Sequence, residues 1–144
     1  MQINLHPRQS DLFTSKATEI LYGGAAGGGK SHAMRAVAIA FAFSVPNIQI
    51  YLFRRIFSDL SKNHIEGASG FNALLAPWVQ TKHISITNDE ISFWNGAKIY
   101  LCHCQHEKDV IKYQGAEIHI LLIDELTHFN YLRLKSRRYR TRFC

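Results

Sequence analysis

The sequence predicts an α/β domain built around a mostly parallel β-sheet. Two segments, 48–55 (IQIYLFRR) and 118–125 (IHILLIDE), are nearly continuous apolar runs, which is typical of strands buried on both faces of a parallel sheet. Another apolar segment leads into a glycine-rich stretch that is followed by an alanine-rich helical pattern. This order of a strand, a loop, a helix and further buried strands favours an α/β fold. The parallel strands of such a fold are joined by right-handed crossovers.

The elements can be assigned in chain order. We expect a short helix after Pro7, a strand at 19–22, a glycine loop, and a helix from about Lys30 to Phe43. Alanine and phenylalanine fill most positions of that helix, so it should be covered on most sides. Each of the three prolines (Pro7, Pro46 and Pro77) is expected where one element gives way to the next.

Between the two apolar runs, apolar residues alternate with polar ones in three short segments. Asn88-Asp89 and Asn95-Gly96 lie between these segments and suit two-residue turns. We therefore expect a small antiparallel meander at an edge of the sheet, with strands around 84–86, 91–93 and 99–101.

Length and composition fit one domain with its own core. A chain near 144 residues buries roughly 70% of its unfolded surface, so a disulfide scaffold is not needed. The three cysteines are an odd number and no charged and apolar leader precedes them, which favours a reduced intracellular setting. The longest apolar run, 36–43, is far shorter than the roughly 20 residues of a bilayer span, so no membrane segment is expected.

The glycine-rich stretch matches a phosphate-binding pattern. Gly24 to Ser31 fit G-x-x-x-x-G-K-[ST] between a predicted strand and a predicted helix. Glycines let successive backbone N–H groups face one point, and the helix N-terminus adds partial positive charge there. The expected binding residues are Gly24, Ala25, Ala26, Gly27, Gly28, Gly29, Lys30 and Ser31. Lys30 would contact the β and γ phosphates and Ser31 would ligate Mg²⁺. A flexible glycine linker is the alternative, but it would not require lysine and serine at this spacing.

An acidic pair follows the second apolar run. Asp124 falls at the carboxyl end of a buried strand, where open α/β sheets place their ligands, and is expected to hold Mg²⁺. Glu125 is the candidate catalytic residue that orients or deprotonates the attacking water. An ordinary helix cap is the alternative interpretation of an Asp-Glu pair in this position.

Five segments together resemble the ATPase domain of phage large terminase subunits, the motors that pump DNA into a procapsid. They are HPRQ (6–9), LYGGAAGGGKS (21–31), IYLFRRIFSDL (50–60), YQGAEIHILLIDELTHF (113–129) and YLRLKSRR (131–138). The resemblance implies a P-loop NTPase fold of the ASCE type. It also implies a Walker A motif at Gly24 to Ser31, a Walker B strand at Ile120 to Asp124, and a catalytic glutamate at Glu125.

Three further residues gain candidate roles from the resemblance. Gln9 matches a glutamine that hydrogen-bonds the adenine edge, although a glutamine near a helix start is common. Arg54 and Arg55 match arginines after the second strand, of which one would sense the γ-phosphate. From the residues alone, the FRR segment could equally be a strand end that meets solvent.

The function expected from these features is an Mg²⁺-dependent ATPase that couples hydrolysis to the movement of double-stranded DNA. The resemblance implies ATP and Mg²⁺ as cofactors. Its implied partners are double-stranded DNA, a homo-oligomeric ring on a portal and a small terminase subunit, in the host cytoplasm at the procapsid. A nucleotide-binding remnant or interaction module without turnover is the alternative. A P-loop helicase or recombinase relative is a third reading, which YLFRRIFSDL and DELTHF disfavour.

The predicted organisation is an ATPase domain at 1–132 and a basic tail at 133–144. Six basic residues in 133–142 account for the net charge of +6, because the rest of the chain carries 11 basic and 11 acidic residues. This tail could bind nucleic acid or be a solvated end. No acidic cluster follows, so nuclease activity is not expected. The segment from Glu125 to Arg137 is shorter than expected for the family, which suggests a partial domain from a truncated or frame-shifted product.

The segment CHCQH (102–106) raises the question of a zinc site. On a strand, Cys102 and Cys104 point to one face and His103 to the other, and no second ligand pair lies at a suitable spacing. Small, partly buried strand residues are the favoured interpretation.

Overall fold

The computed structural model describes residues 5–23, 29–128 and 141–143, which form an α/β fold. The strands are β1 (Glu19–Ile20), β2 (Gln49–Arg54), β3 (Ile84–Ile86), β4 (Glu90–Phe93), β5 (Lys98–His103), β6 (Ile120–Ile123) and β7 (Thr141–Phe143). The helices are α1 (Pro7–Thr14), α2 (Lys30–Ser44), α3 (Phe57–Leu60) and α4 (Phe71–Gln80). A π-helical segment spans Ser61–Glu66, and 3₁₀ segments span Glu107–Tyr113 and Leu126–His128.

The sheet is mixed. Five strands in the order β6-β2-β5-β4-β3 form its body, and β7 and β1 extend it to 7 strands. β6, β2 and β5 run parallel to one another, whereas β4 and β3 are antiparallel. These pairings confirm the mostly parallel sheet and the meander at its edge. Parallel strands end at the same edge, so the ends of β2 and β6 lie side by side.

The last described residues belong to the sheet. Thr141–Phe143 pair in parallel with β6 on one side and with β1 on the other. They fall inside the segment predicted as a basic tail, so at least these three residues are not a solvated end. Residues 133–140 and 144 lie outside the described part of the chain, and the boundary after residue 132 stays a prediction.

The core occupies both faces of the sheet, as the apolar runs predicted. On one face, residues of β2, β5 and β6 pack in one cluster with apolar residues of α2 and α4. The strand residues of this cluster are Ile50, Leu52, Ile99, Leu101, Ile120 and Leu122. The opposite face carries Phe53, Cys102, Leu121 and Ile123, with Tyr51, Tyr100 and Tyr113 against them. Helix α2 ends one residue later than predicted, and most of its surface is buried. No helix in the described ranges has the length and apolar character that crossing a bilayer requires.

One expectation about proline was wrong. Pro77 lies inside α4 rather than between elements. A proline in a helix interior removes one backbone hydrogen bond at a cost of roughly 3 kcal/mol. Tertiary packing offsets that cost, since Leu75 is fully buried and the Trp78 ring meets the Phe43 ring edge-on with centroids 5.2 Å apart.

Candidate active site

The candidate site forms where β6 ends. Asp124 follows β6 directly, and its backbone N–H still donates to the carbonyl of Phe53 on β2, over 2.8 Å. Strand pairing therefore delivers its side chain to the carboxyl edge of the sheet, where it is 3% exposed. Glu125 then takes a left-handed backbone conformation with φ 57°. Few residues with a side chain adopt this conformation, so the chain turns sharply between the two carboxylates.

Ser31 joins the start of α2 to the end of β6. Its hydroxyl Oγ donates to Oδ2 of Asp124 over 3.1 Å, although the two residues are 93 positions apart. Ser31 is the second residue of α2, whose first backbone N–H groups have no partner within the helix. The structure thus brings together two residues that the sequence predicted as Mg²⁺ ligands.

Arg54, the last residue of β2, contacts both acidic residues. Its Nη1 lies 2.8 Å from Oδ2 of Asp124, and its Nη2 lies 2.6 Å from Oε1 of Glu125. Arg54 is buried, whereas the next residue, Arg55, is exposed. Of the two arginines that the sequence left open, the structure brings only Arg54 to the carboxylates.

A buried histidine and a second buried arginine complete this network. His64, from the π-helical segment, is fully buried and places Nε2 at 2.9 Å from Oδ2 of Asp124. Its Nδ1 lies 3.4 Å from Nη1 of Arg35, a residue of α2. Arg35 also donates to the carbonyl of Asn63 over 2.9 Å and to the hydroxyl of Ser69 over 3.1 Å. The network connects α2, the π-helical segment and β6.

The electrostatics follow from burial and from these donors. Burial raises the pKa of Asp124, but hydrogen bonds from His64 and Ser31 and the charge of Arg54 outweigh that effect, and its pKa lies below the ordinary value. Burial lowers the pKa of His64, and its contact with Asp124 offsets this only in part. Burial also lowers the pKa of Arg35, against the attraction of Asp124. Burial therefore favours the neutral imidazole of His64, whereas the hydrogen-bond donors favour the ionised form of Asp124.

Gln9 lies against the end of the glycine segment. Its Nε2 donates to the carbonyl of Gly29 over 3.0 Å, and its Oε1 accepts from the backbone N–H of His6 over 2.7 Å. Gly29 has φ +72°, and a Cβ built there would lie 2.5 Å from Nε2 of Gln9. The positive φ favours glycine at position 29, and a Cβ there would displace the amide group of Gln9. The predicted adenine contact of Gln9 stays a prediction.

The rest of the phosphate-binding pattern is described only in part. Lys30 is the first residue of α2, directly before Ser31. Gly24, Ala25, Ala26, Gly27 and Gly28 lie outside the described residues.

The CHCQH segment is buried only in part, because Gln105 and His106 are exposed. Cys102 and Cys104 are both buried, in the cluster that also holds Phe53 and Ile123. Within the described ranges, no group of three or more histidine, cysteine and acidic side chains is arranged to hold a metal ion. The interpretation as a buried strand residue is confirmed for Cys102, whereas Cys104 is buried but lies just after the end of β5.

Sequence reasoning missed Arg35 and His64. Arg35 did give a signal, because it is a charge within a helix predicted to be covered on most sides, and a buried charge needs a partner. His64 gave none, since it lies in a segment without a helical or strand period.

A family model described as terminase large subunit, T4likevirus-type, N-terminal, matches residues 21–137. The matched region contains Ser31, Arg54, Asp124 and Glu125. A comparison with curated proteins finds no match.

Proposed function

Because the chain belongs to the family of T4-type terminase large subunits, in their N-terminal part, we propose that it is the ATPase of a DNA-packaging motor. In this proposal the fold is a P-loop NTPase. ATP binds at the start of α2, with its triphosphate beside Asp124 and Glu125, and its hydrolysis drives double-stranded DNA into a procapsid.

The observation that carries the proposal is the contact between Ser31 and Asp124. Their 3.1 Å hydrogen bond joins the G-K-S sequence to the acidic pair. The start of a helix favours anions, because its N–H groups lack partners and the helix dipole is positive there. A bound triphosphate at that point would have carboxylates within reach, which is the arrangement that metal-assisted phosphoryl transfer uses.

The same two side chains fit Mg²⁺. This ion prefers oxygen ligands, and a serine hydroxyl with a carboxylate supplies them. The Ser31 hydroxyl donates a hydrogen bond to Asp124, so the lone pairs on its oxygen can bind a cation. Ser31 and Asp124 would therefore hold the ion, directly or through water. When bound, Mg²⁺ neutralises charge on the phosphates.

Arg54 and Glu125 have complementary roles in the proposal. Glu125 orients or deprotonates water, but here its Oε1 accepts a hydrogen bond from Nη2 of Arg54 over 2.6 Å, so that oxygen is occupied. A γ-phosphate would compete for the same guanidinium. Nε of Arg54 is buried and has no hydrogen-bond partner within the described ranges, which costs free energy that a further acceptor would relieve. Arg54 is accordingly assigned as the γ-phosphate sensor that releases Glu125.

The Arg54–Glu125 ion pair also favours a second candidate function. A protein that keeps this pair closed would bind ATP without turnover and would act as a nucleotide-dependent interaction module. The partners of either function are double-stranded DNA, a portal with a ring of like subunits, and a small terminase subunit.

ATP hydrolysis by the wild-type chain and by Glu125→Gln separates the two functions. We expect hydrolysis by wild type and a loss of at least about 100-fold in Glu125→Gln, since general base catalysis contributes roughly 10²–10⁴-fold. The matched control is Glu117→Gln, because Glu117 is exposed and precedes the opposite end of β6. Equal rates in wild type and Glu125→Gln would contradict the enzyme function and leave nucleotide binding alone.

A further inference from the structure

The buried pair Arg35 and His64 has no role in the function proposed so far. Both side chains are charged or titratable and both are almost fully buried, at 4% and 0% exposed. Burying such groups costs free energy unless they are paired. Arg35 contacts His64, and His64 contacts Asp124. The free-energy cost of burying both side chains is therefore offset by contacts that end at this carboxylate.

Geometry selects one form of the His64 ring. A guanidinium can only donate hydrogen bonds, and Nη1 of Arg35 faces Nδ1 of His64 at 3.4 Å. Nδ1 must therefore carry a lone pair, and the ring proton sits on Nε2. Nε2 is the atom that lies 2.9 Å from Oδ2 of Asp124. Arg35 thus sets the tautomer, and His64 presents a fixed N–H to the carboxylate.

Arg35 is itself held rigidly. One nitrogen, Nη1, donates to the carbonyl of Asn63, and the other, Nη2, donates to the hydroxyl of Ser69. These contacts tie α2 to the segment that carries His64. Ser31 and Arg35 belong to the same helix, so α2 contacts Asp124 directly through Ser31 and indirectly through His64.

On the basis of the proposed function, we infer that Arg35 and His64 are positioning residues for Asp124. They keep its carboxylate oriented beside Ser31, so that the pair can receive Mg²⁺ together with ATP. Groups that orient a metal ligand from behind typically change metal affinity by about 10- to 100-fold when they are replaced. Neither residue contacts the nucleotide in this scheme.

Calorimetry with ATP, in Mg²⁺ and in EDTA, tests the inference on three variants. His64→Leu keeps the volume and removes the donor, and it should reduce the enhancement of ATP affinity by Mg²⁺ at least about tenfold. His64→Gln keeps an N–H donor and should restore most of the enhancement. The control His119→Gln replaces a partly exposed histidine before the other end of β6 and should match wild type.

The outcomes separate this inference from the proposed function. If wild type does not bind ATP, the proposed function fails, and the positioning role fails with it. If wild type responds to Mg²⁺ and His64→Leu responds equally, only the positioning role fails.

A spectroscopic measurement on the wild-type chain covers the case in which His64→Leu does not fold. Long-range ¹H–¹⁵N spectra at neutral pH should show a histidine with its proton on Nε2, and this signal should be absent from His64→Gln. A proton on Nδ1 of His64 would overturn the inference.

Discussion

Nη2 of Arg54 lies 2.6 Å from Oε1 of Glu125, so the candidate catalytic carboxylate is held by a cation from the neighbouring strand. The same guanidinium contacts Asp124 over 2.8 Å. One buried arginine therefore links the two acidic residues. In the proposed function, this link opens when a triphosphate binds.

Arg54→Gln should weaken ATP binding by at least about tenfold, because a hydrogen bond to a charged group contributes roughly 1.5–3 kcal/mol. ADP should lose less affinity, since it lacks the γ-phosphate. Calorimetric titration with both nucleotides measures the difference. Arg55→Gln is the matched control, as Arg55 is the adjacent but exposed arginine. Equal losses for ATP and ADP would contradict the sensor role.

Asp109 should contribute to stability in a pH-dependent way. Hydrogen bonds from Lys112 and from the backbone N–H of His106 lower the pKa of Asp109 to about 2. The ordinary value in an unfolded chain is about 3.9. The contribution is thus fully present above that value and is lost as pH falls toward about 2.

Urea unfolding of wild type and Asp109→Asn between neutral and acidic pH checks this prediction. The difference in free energy of unfolding should shrink as pH falls. Lys112→Met, which keeps the His106 contact, should retain part of the pH dependence. A difference that is constant with pH would show that the ionised carboxylate is not the cause.

The buried cysteines should be inert as thiols. Burial raises the pKa of Cys102 to about 12 and also raises the pKa of Cys104. The thiolate is the reactive form, so a disulfide reagent at pH 8 should label neither residue in the folded chain. The assay uses Cys144→Ser, which removes the third cysteine. Rapid labelling without denaturant would contradict the burial of these two cysteines against Phe53 and Ile123.

The basic segment 133–140 should set the salt dependence of DNA binding. Each lost phosphate contact reduces the slope of log affinity against log salt by about 1. Arg137→Gln with Arg138→Gln should therefore flatten the slope by up to about 2. Deleting the whole tail would be a poor test, because Thr141–Phe143 form β7. An unchanged slope would support a solvated segment without a DNA contact.

The sequence predicted the elements that depend on local pattern. Helix α2 and strands β2 and β6 come from apolar segments that are easy to recognise, and their bounds were close. Ser31 and Asp124 were predicted as partners because the motif spacing and the ends of parallel strands place them at one edge. The sequence could not predict that Arg54, and not Arg55, contacts the carboxylates. That outcome depends on the direction in which each side chain points at the end of β2.

The remaining misses have tertiary causes. His64 becomes significant only when the π-helical segment packs under α2, and no local pattern marks that contact. Pro77 suggested a helix end, yet the packing of Leu75 and Trp78 maintains α4 through it. Short segments without a period are determined by what they pack against, and a single sequence does not show those neighbours.

In the proposed function, the start of α2 and the acidic pair bind one metal-bound triphosphate. The most direct measurement is a crystal structure with Mn²⁺ and a non-hydrolysable ATP analogue, read by the anomalous signal of the metal. We expect one metal peak beside Ser31 and Asp124, with the γ-phosphate near Lys30 and Arg54. A triphosphate bound elsewhere, or a metal away from Asp124, would contradict it.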